Sequence, residues 1–166
     1  YTAFVETGRV TDDEHQSLKS ALYTIAKTGK AAYRFTCNQN IVIADVAVED
    51  KGTIHQILEK SGVIAFTEKA GEMRRSAIAC VAFNTCPLAL AEAQRYLPAL
   101  ITKLEPILRK YGLDADDISI RMTGCPNGCG RPTMAEIGLI GTAYGKYNLH
   151  LGGDRLGLRL NKRFAK

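Results

Sequence analysis

Apolar positions follow two periods that alternate along the first part of the chain. Leu18, Ala21, Leu22, Ile25 and Ala26 recur at steps of three and four, which puts them on one face of a helix. Thr11 followed by Glu14 has the reciprocal pattern of a capping box and predicts where that helix begins. Gly29 supplies the left-handed position at which it stops. Residues 33–36 and 41–48, rich in β-branched and aromatic side chains, predict two strands. Between them Cys37-Asn38-Gln39-Asn40 reads as a polar turn. Residues 51–60 predict a second helix with Ile54, Ile57 and Leu58 on one face, and 63–66 a closing strand after Gly62. Helix, hairpin, helix, strand is most of one ferredoxin-like α+β unit, its first strand missing or supplied elsewhere.

The pattern changes beyond a charged, glycine-containing stretch at 68–75. An apolar run at 78–83 leads into Thr85-Cys86-Pro87. Proline suits the first turn of a helix, so a helix is expected over 88–97, with a break at Pro98. Leu100, Leu104, Ile107, Leu108 and Tyr111 predict a further helix, bent by Pro106 and ended by Gly112. Strands are expected at 118–122, 136–141 and 147–151, the last two joined near Gly145. The fold class expected is therefore α+β, divided into a ferredoxin-like unit over 1–70 and a second α+β unit over 71–166.

Composition narrows the function classes. The 166 residues are 46% hydrophobic and 23% charged, a globular balance. No run of about 18 apolar residues is present, so no membrane span is expected. The first residues carry no secretion signal, and the chain opens on Tyr1 without Met, which suggests a fragment or a processed piece. The formal net charge of +5 is matched by one stretch, where Lys146, Arg155, Arg159, Lys162, Arg163 and Lys166 face Asp154 alone. A nucleic-acid binder spreads its charge along a stripe or helix, so a solvated end, or a patch that meets another part of a larger protein, is the simpler account. An anionic partner is the other.

The chemistry lies in the cysteines. Of the five, Cys80 and Cys86 bracket five residues, Cys125 and Cys129 bracket three, and Cys37 stands alone. Four thiolates brought together can hold a tetrahedral metal or an iron–sulfur cluster. Pair spacing mildly disfavours zinc. Gly124, Gly128 and Gly130 surround the second pair, which allows close backbone approach to a ligand, and exposed amides there can donate to sulfur. Two disulfides are disfavoured by the odd count and the missing signal. Ordinary buried thiols fit a glycine-rich turn poorly. Cys37 reads as a plain thiol in a turn. His15, His55 and His150 are scattered, with no metal-ligand spacing, and no hydrolase triad or phosphate loop is present.

Residues 79–93, from Ala79-Cys80-Val81-Ala82-Phe83-Asn84-Thr85-Cys86-Pro87 onward, and Met122-Thr123-Gly124-Cys125-Pro126-Asn127-Gly128-Cys129-Gly130-Arg131-Pro132 resemble the two cysteine blocks of the sulfite and nitrite reductase haemoprotein family. Arg34-Phe35-Thr36 with Asn38-Gln39-Asn40-Ile41 resembles a further block near the cofactor. Tyr147-Asn148-Leu149-His150-Leu151-Gly152-Gly153-Asp154, with Leu160-Asn161-Lys162, resembles the haemoprotein (beta) subunit of the NADPH-dependent sulfite reductases more than the ferredoxin-dependent enzymes. Gly130 and Asn84 stand where the family often carries Ala and Pro.

The resemblance implies the second half of a sulfite reductase haemoprotein. Its cofactors would be a [4Fe–4S] cluster and sirohaem. The cluster ligands would be Cys80, Cys86, Cys125 and Cys129, with Cys129 bridging to the sirohaem iron as the catalytic thiolate. Asn127, Phe83, Thr85 and Gln39 would lie beside the macrocycle. The reaction implied is six-electron reduction of sulfite to sulfide, fed by an NADPH-dependent FAD/FMN flavoprotein in the cytoplasm. The sulfite-binding basic residues belong mostly to the other half, so a missing N-terminal half or a partner chain would complete the site, and the isolated chain could lack activity. Sirohaem-dependent nitrite reduction and a non-catalytic iron–sulfur electron-transfer module are the alternatives. No nucleic acid or membrane partner is expected.

Overall fold

The computed structural model describes residues 1–154 and 156–165. Two compact units are present, Tyr1–Ala70 and Gly71–Lys166, both α+β.

In the first unit an antiparallel sheet has the order β1 (Thr2–Ala3), β3 (Ile41–Ala44), β2 (Ala32–Phe35). Thr2 pairs with Val42 and Phe35 with Ile41. The missing first strand is thus supplied by the first residues of the chain. Helices α1 (Leu18–Thr28), α2 (Lys51–Lys60) and α3 (Val63–Lys69) accompany the sheet. Leu18, Ala21 and Ile25 of α1 join Ile41, Ile43, Ile54, Leu58 and Val63 in one core.

Three expectations need correction here. The helix begins at Leu18, and Thr11 and Glu14 do not box it. Instead the carboxylate of Asp12 accepts from the Ser20 amide at 3.0 Å and the Ser20 hydroxyl at 2.6 Å, satisfying a first-turn donor from outside the helix. The closing strand at 63–66 is helix α3, because Gly62 at φ 74° turns α2 directly into it. The second hairpin strand ends at Ala44, where Asp45 turns away at φ 57°.

The second unit holds α4 (Glu72–Ser76), β4 (Ile78–Ala79), α5 (Leu97–Lys110), β5 (Ile120–Thr123), β6 (Ile137–Ala143), β7 (Lys146–Leu151) and β8 (Lys162–Ala165). The strands form one sheet in chain order, parallel through β4–β5–β6 and antiparallel through β6–β7–β8. Ile120 and Met122 pack with Leu97 and Ile101 of α5 in the core. Strand alternation turns Arg121 and Thr123 to the other face.

The helix expected over 88–97 is absent. The segment is held to its neighbours: the amides of Leu90 and Ala91 both donate to Gly124 O, at 2.8 and 2.9 Å, and Gln94 N donates to Cys80 O at 3.1 Å. Pro98, not Pro87, occupies the first turn of a helix, and α5 runs through Pro106 without interruption. The basic stretch is partly strand, with Lys146 on β7 and Lys162 and Arg163 on β8; Arg155 and Lys166 lie outside the described residues. Lys146 and Arg163 line a shallow groove with Thr142 and Asn148, so this charge forms a surface patch.

Candidate functional site

The cysteine pairs sit at the carboxyl ends of two adjacent parallel strands, where open α/β sheets gather ligands. Cys80 follows β4, and its amide donates to Met122 O at 3.2 Å, continuing the ladder beyond the Ala79–Met122 pair. Cys125 follows β5 one residue after Gly124. Cys86 is held in a turn by its amide, which donates to Ala82 O at 2.8 Å. None of the five cysteines is in a disulfide: Cys125 is buried, Cys80 and Cys86 half-buried, Cys129 and Cys37 exposed.

One contact ties the two pairs together. The Gly124 amide donates to Cys80 Sγ at 3.2 Å. Burial pushes the Cys80 thiol above its ordinary pKa, the Gly124 and Ala82 amides pull it down, and negative charge on Cys129 and Cys125 pushes it up. Cys80 is therefore within electrostatic reach of both Cys125 and Cys129.

The protein's own packing and backbone also require these glycines. A Cβ on Gly124 would stand 2.5 Å from Ala91 O and 2.8 Å from Ala82 Cβ. On Gly130 it would stand 2.8 Å from Met122 O. Both are excluded by the protein's own packing. Gly128 is required by its left-handed backbone, φ 70°.

The residues expected beside a macrocycle are distributed as follows. Asn127 and Thr85 are exposed at the two loops, and Phe83 is half-buried with its ring 6.2 Å from that of Tyr144. The guanidinium of Arg95 donates to Phe83 O, and the Phe83–Asn84 peptide bond is cis. Gln39 belongs to the first unit, in the hairpin turn at φ 63°, packed against Gly8. That turn is closed by its own bonds, Thr36 N to Asn40 O at 2.9 Å and Asn40 N to Thr36 Oγ1 at 3.0 Å. Arg34 is paired with Asp45 at 3.0 Å. Sequence reasoning missed Thr123, fully buried at the end of β5 beside both cysteine loops.

Four thiolates on one zinc ion would each stand about 2.3 Å from it. Among the described residues no three His, Cys, Asp or Glu side chains close around a single ion. A [4Fe–4S] cluster distributes its four thiolates over different irons and asks for a wider set.

No family model matches the chain. Curated relatives do. It is 59% identical over 166 residues to the sulfite reductase [NADPH] hemoprotein beta-component of Leptospira biflexa, covering all of this chain and 30% of that protein. The chain belongs to the sulfite/nitrite reductase haemoprotein superfamily. Proteins of the same name from Staphylococcus saprophyticus and Zymomonas mobilis are 52% and 49% identical over 98% and 99% of the chain, which covers 28% of each. The chain thus spans less than a third of the length of these haemoproteins. The solved structure of the Mycobacterium tuberculosis NirA protein shares the fold, with a TM-score of 0.72 at 24% identity, over 99% of this chain and 31% of that one. No helix of the described residues is long and apolar enough to cross a membrane.

Proposed function

We propose that the second unit is the cofactor-holding part of a sulfite-reducing haemoprotein, with Cys80, Cys86, Cys125 and Cys129 binding a [4Fe–4S] cluster and Cys129 shared with sirohaem. The observation that carries the reading is the Gly124 amide on Cys80 Sγ, with Cys125 and Cys129 within electrostatic reach. A donor aimed at sulfur favours the thiolate, which is the ligand form. An iron bound at Cys80 would take the place of the proton that burial otherwise retains. When bound, the coupled centre supplies electrons for the six-electron reduction of sulfite to sulfide.

The residues divide the remaining work. Cys80 and Cys125 anchor the site from the strand ends. Buried Ala82, Ala91 and Gly130 limit water on that side. Cys129 and Asn127, both exposed, leave the open end of the loop accessible to a planar macrocycle, with Phe83 and Thr85 on the neighbouring loop. The role of Gln39 rests on the resemblance alone. An NADPH-dependent flavoprotein as electron donor, the rest of a longer haemoprotein as the sulfite-binding side, and a cytoplasmic setting belong to the same proposal.

Anaerobic assembly of the chain with iron, sulfide and sirohaem tests it, read by visible spectrum, iron and acid-labile sulfide. The wild type is expected to take up cluster and macrocycle, and Cys125→Ser to lose the cluster. Iron content and spectrum unchanged in Cys125→Ser would overturn the ligand assignment. A cluster without macrocycle bands would reduce the chain to an electron-transfer module.

A further inference from the structure

Thr123 ends β5 with 0% exposure, and its hydroxyl oxygen is buried without a hydrogen-bond partner. Native proteins rarely bury a hydroxyl unbonded, so such a group points to a partner that is yet to be supplied. Three surroundings limit what that partner is. The chain beside Thr123 carries Cys80, whose amide bonds Met122 O, and the next residue, Gly124, donates to Cys80 Sγ. The methyl of Thr123 would lie 3.1 Å from a Cβ on Gly130, the residue after Cys129, and that same Cβ would lie 3.5 Å from the Cys80 amide. Finally, Thr123 is turned away from the α5 core that receives Met122 and Ile120. Thr123 thus lies between the loops of Cys80 and Cys129, its methyl toward Gly130, with its hydroxyl buried and unpartnered there.

We propose that Thr123 is a positioning residue for the iron–sulfur group, its hydroxyl donating to an anionic sulfur of the cluster or of its cysteine ligands; this rests on the cluster reading above. A donor to sulfur stabilises the more negative, reduced form more than the oxidised one and so raises the reduction potential. It also slows ligand loss, as outer hydrogen bonds do at metal sites. In the cluster-free chain the same hydroxyl has no partner, so removing it there costs no hydrogen bond.

The test compares wild type, Thr123→Val and Thr123→Ser, each without cluster and after anaerobic reconstitution with iron and sulfide. Expected for Val is a cluster-free melting temperature equal to or above wild type. After reconstitution it should show a more negative potential in a mediated redox titration and iron release to chelator on the order of ten-fold faster. Ser should restore both. Equal potential and equal iron release in Val and wild type would overturn the inference while leaving the cluster reading intact. A cluster-free Val chain of lower stability would overturn it too, by showing a purely structural hydroxyl. Failure of the wild type itself to take up iron and sulfide would sink the cluster reading and this inference with it.

Discussion

The Gly124 amide reaches the sulfur of Cys80 across 44 positions of sequence, at 3.2 Å. The contact exists because β4 and β5 are parallel neighbours joined through α5, so their carboxyl ends meet. Cys80 leaves one strand and Gly124 the other at the same edge of the sheet.

Gly124→Ala should therefore disturb fold and site together. Its Cβ would meet the Ala91 carbonyl and Ala82 Cβ, which are not free to move aside. A loss of roughly 1–3 kcal/mol is expected, read as a lower urea midpoint with unchanged slope. Gly52→Ala is the control: nothing lies within 4 Å of a Cβ there, in α2, and a gain of up to about 1 kcal/mol is expected. Equal effects at the two positions would contradict the packing argument.

Alkali should weaken the cluster-free chain. Burial raises the pKa of Cys80, Tyr33 and Tyr147, the two phenols donating to Leu22 O at 2.6 Å and Glu92 O at 2.8 Å. In each case the unfolded chain gives up its proton first. Stability from these groups is complete below the unfolded values, about 8.5 for Cys and 10 for Tyr, and falls as pH rises through the folded ones. Denaturation midpoints followed upward from pH 8 should decline, with a shallower decline in Tyr147→Phe. A flat profile would count against it.

Acid should loosen the start of α1. The Ser20 hydroxyl and amide hold Asp12 below the ordinary carboxylate range. Its contribution is present above the unfolded value, about 3.9, and is lost as pH falls through the lower folded value. Asp12→Ala should speed amide exchange at Ser20 at neutral pH, and wild type should approach the variant's rate only in strong acid.

Loss of the cluster should loosen residues 80–129 most. Ligand assembly contributes folding free energy where the unfolded chain holds no site. Amide exchange compared before and after chelation should show the rise in this stretch, with α1 and α2 little changed. Uniform exchange across the chain in both states would refute the coupling.

The local signals of this chain were sufficient where one element satisfies its own pattern. Residues 51–60 carry a one-faced apolar stripe followed by Gly62, and α2 occupies Lys51–Lys60. The strands on either side of Gly145 follow from alternation and the turn glycine alone. The cysteine blocks, too, were legible as a pattern of residue types in sequence.

Tertiary structure decided the elements whose bonds go elsewhere. Residues 63–66 have strand-like composition, yet Thr2–Ala3 takes the sheet edge and the segment coils into α3. Residues 88–97 have helical composition, yet their amides are claimed by Gly124 and Cys80. Asp12 caps a helix that begins six residues later, a contact no local motif encodes. Thr123 gave no signal as a letter between Met and Gly, because its meaning is a burial and a missing partner. Residue type and spacing thus determined that this protein carries two thiol pairs and two α+β units. The meeting of the two thiol pairs at one end of the second unit's sheet was decided by long-range hydrogen bonds and packing, which a linear pattern does not contain.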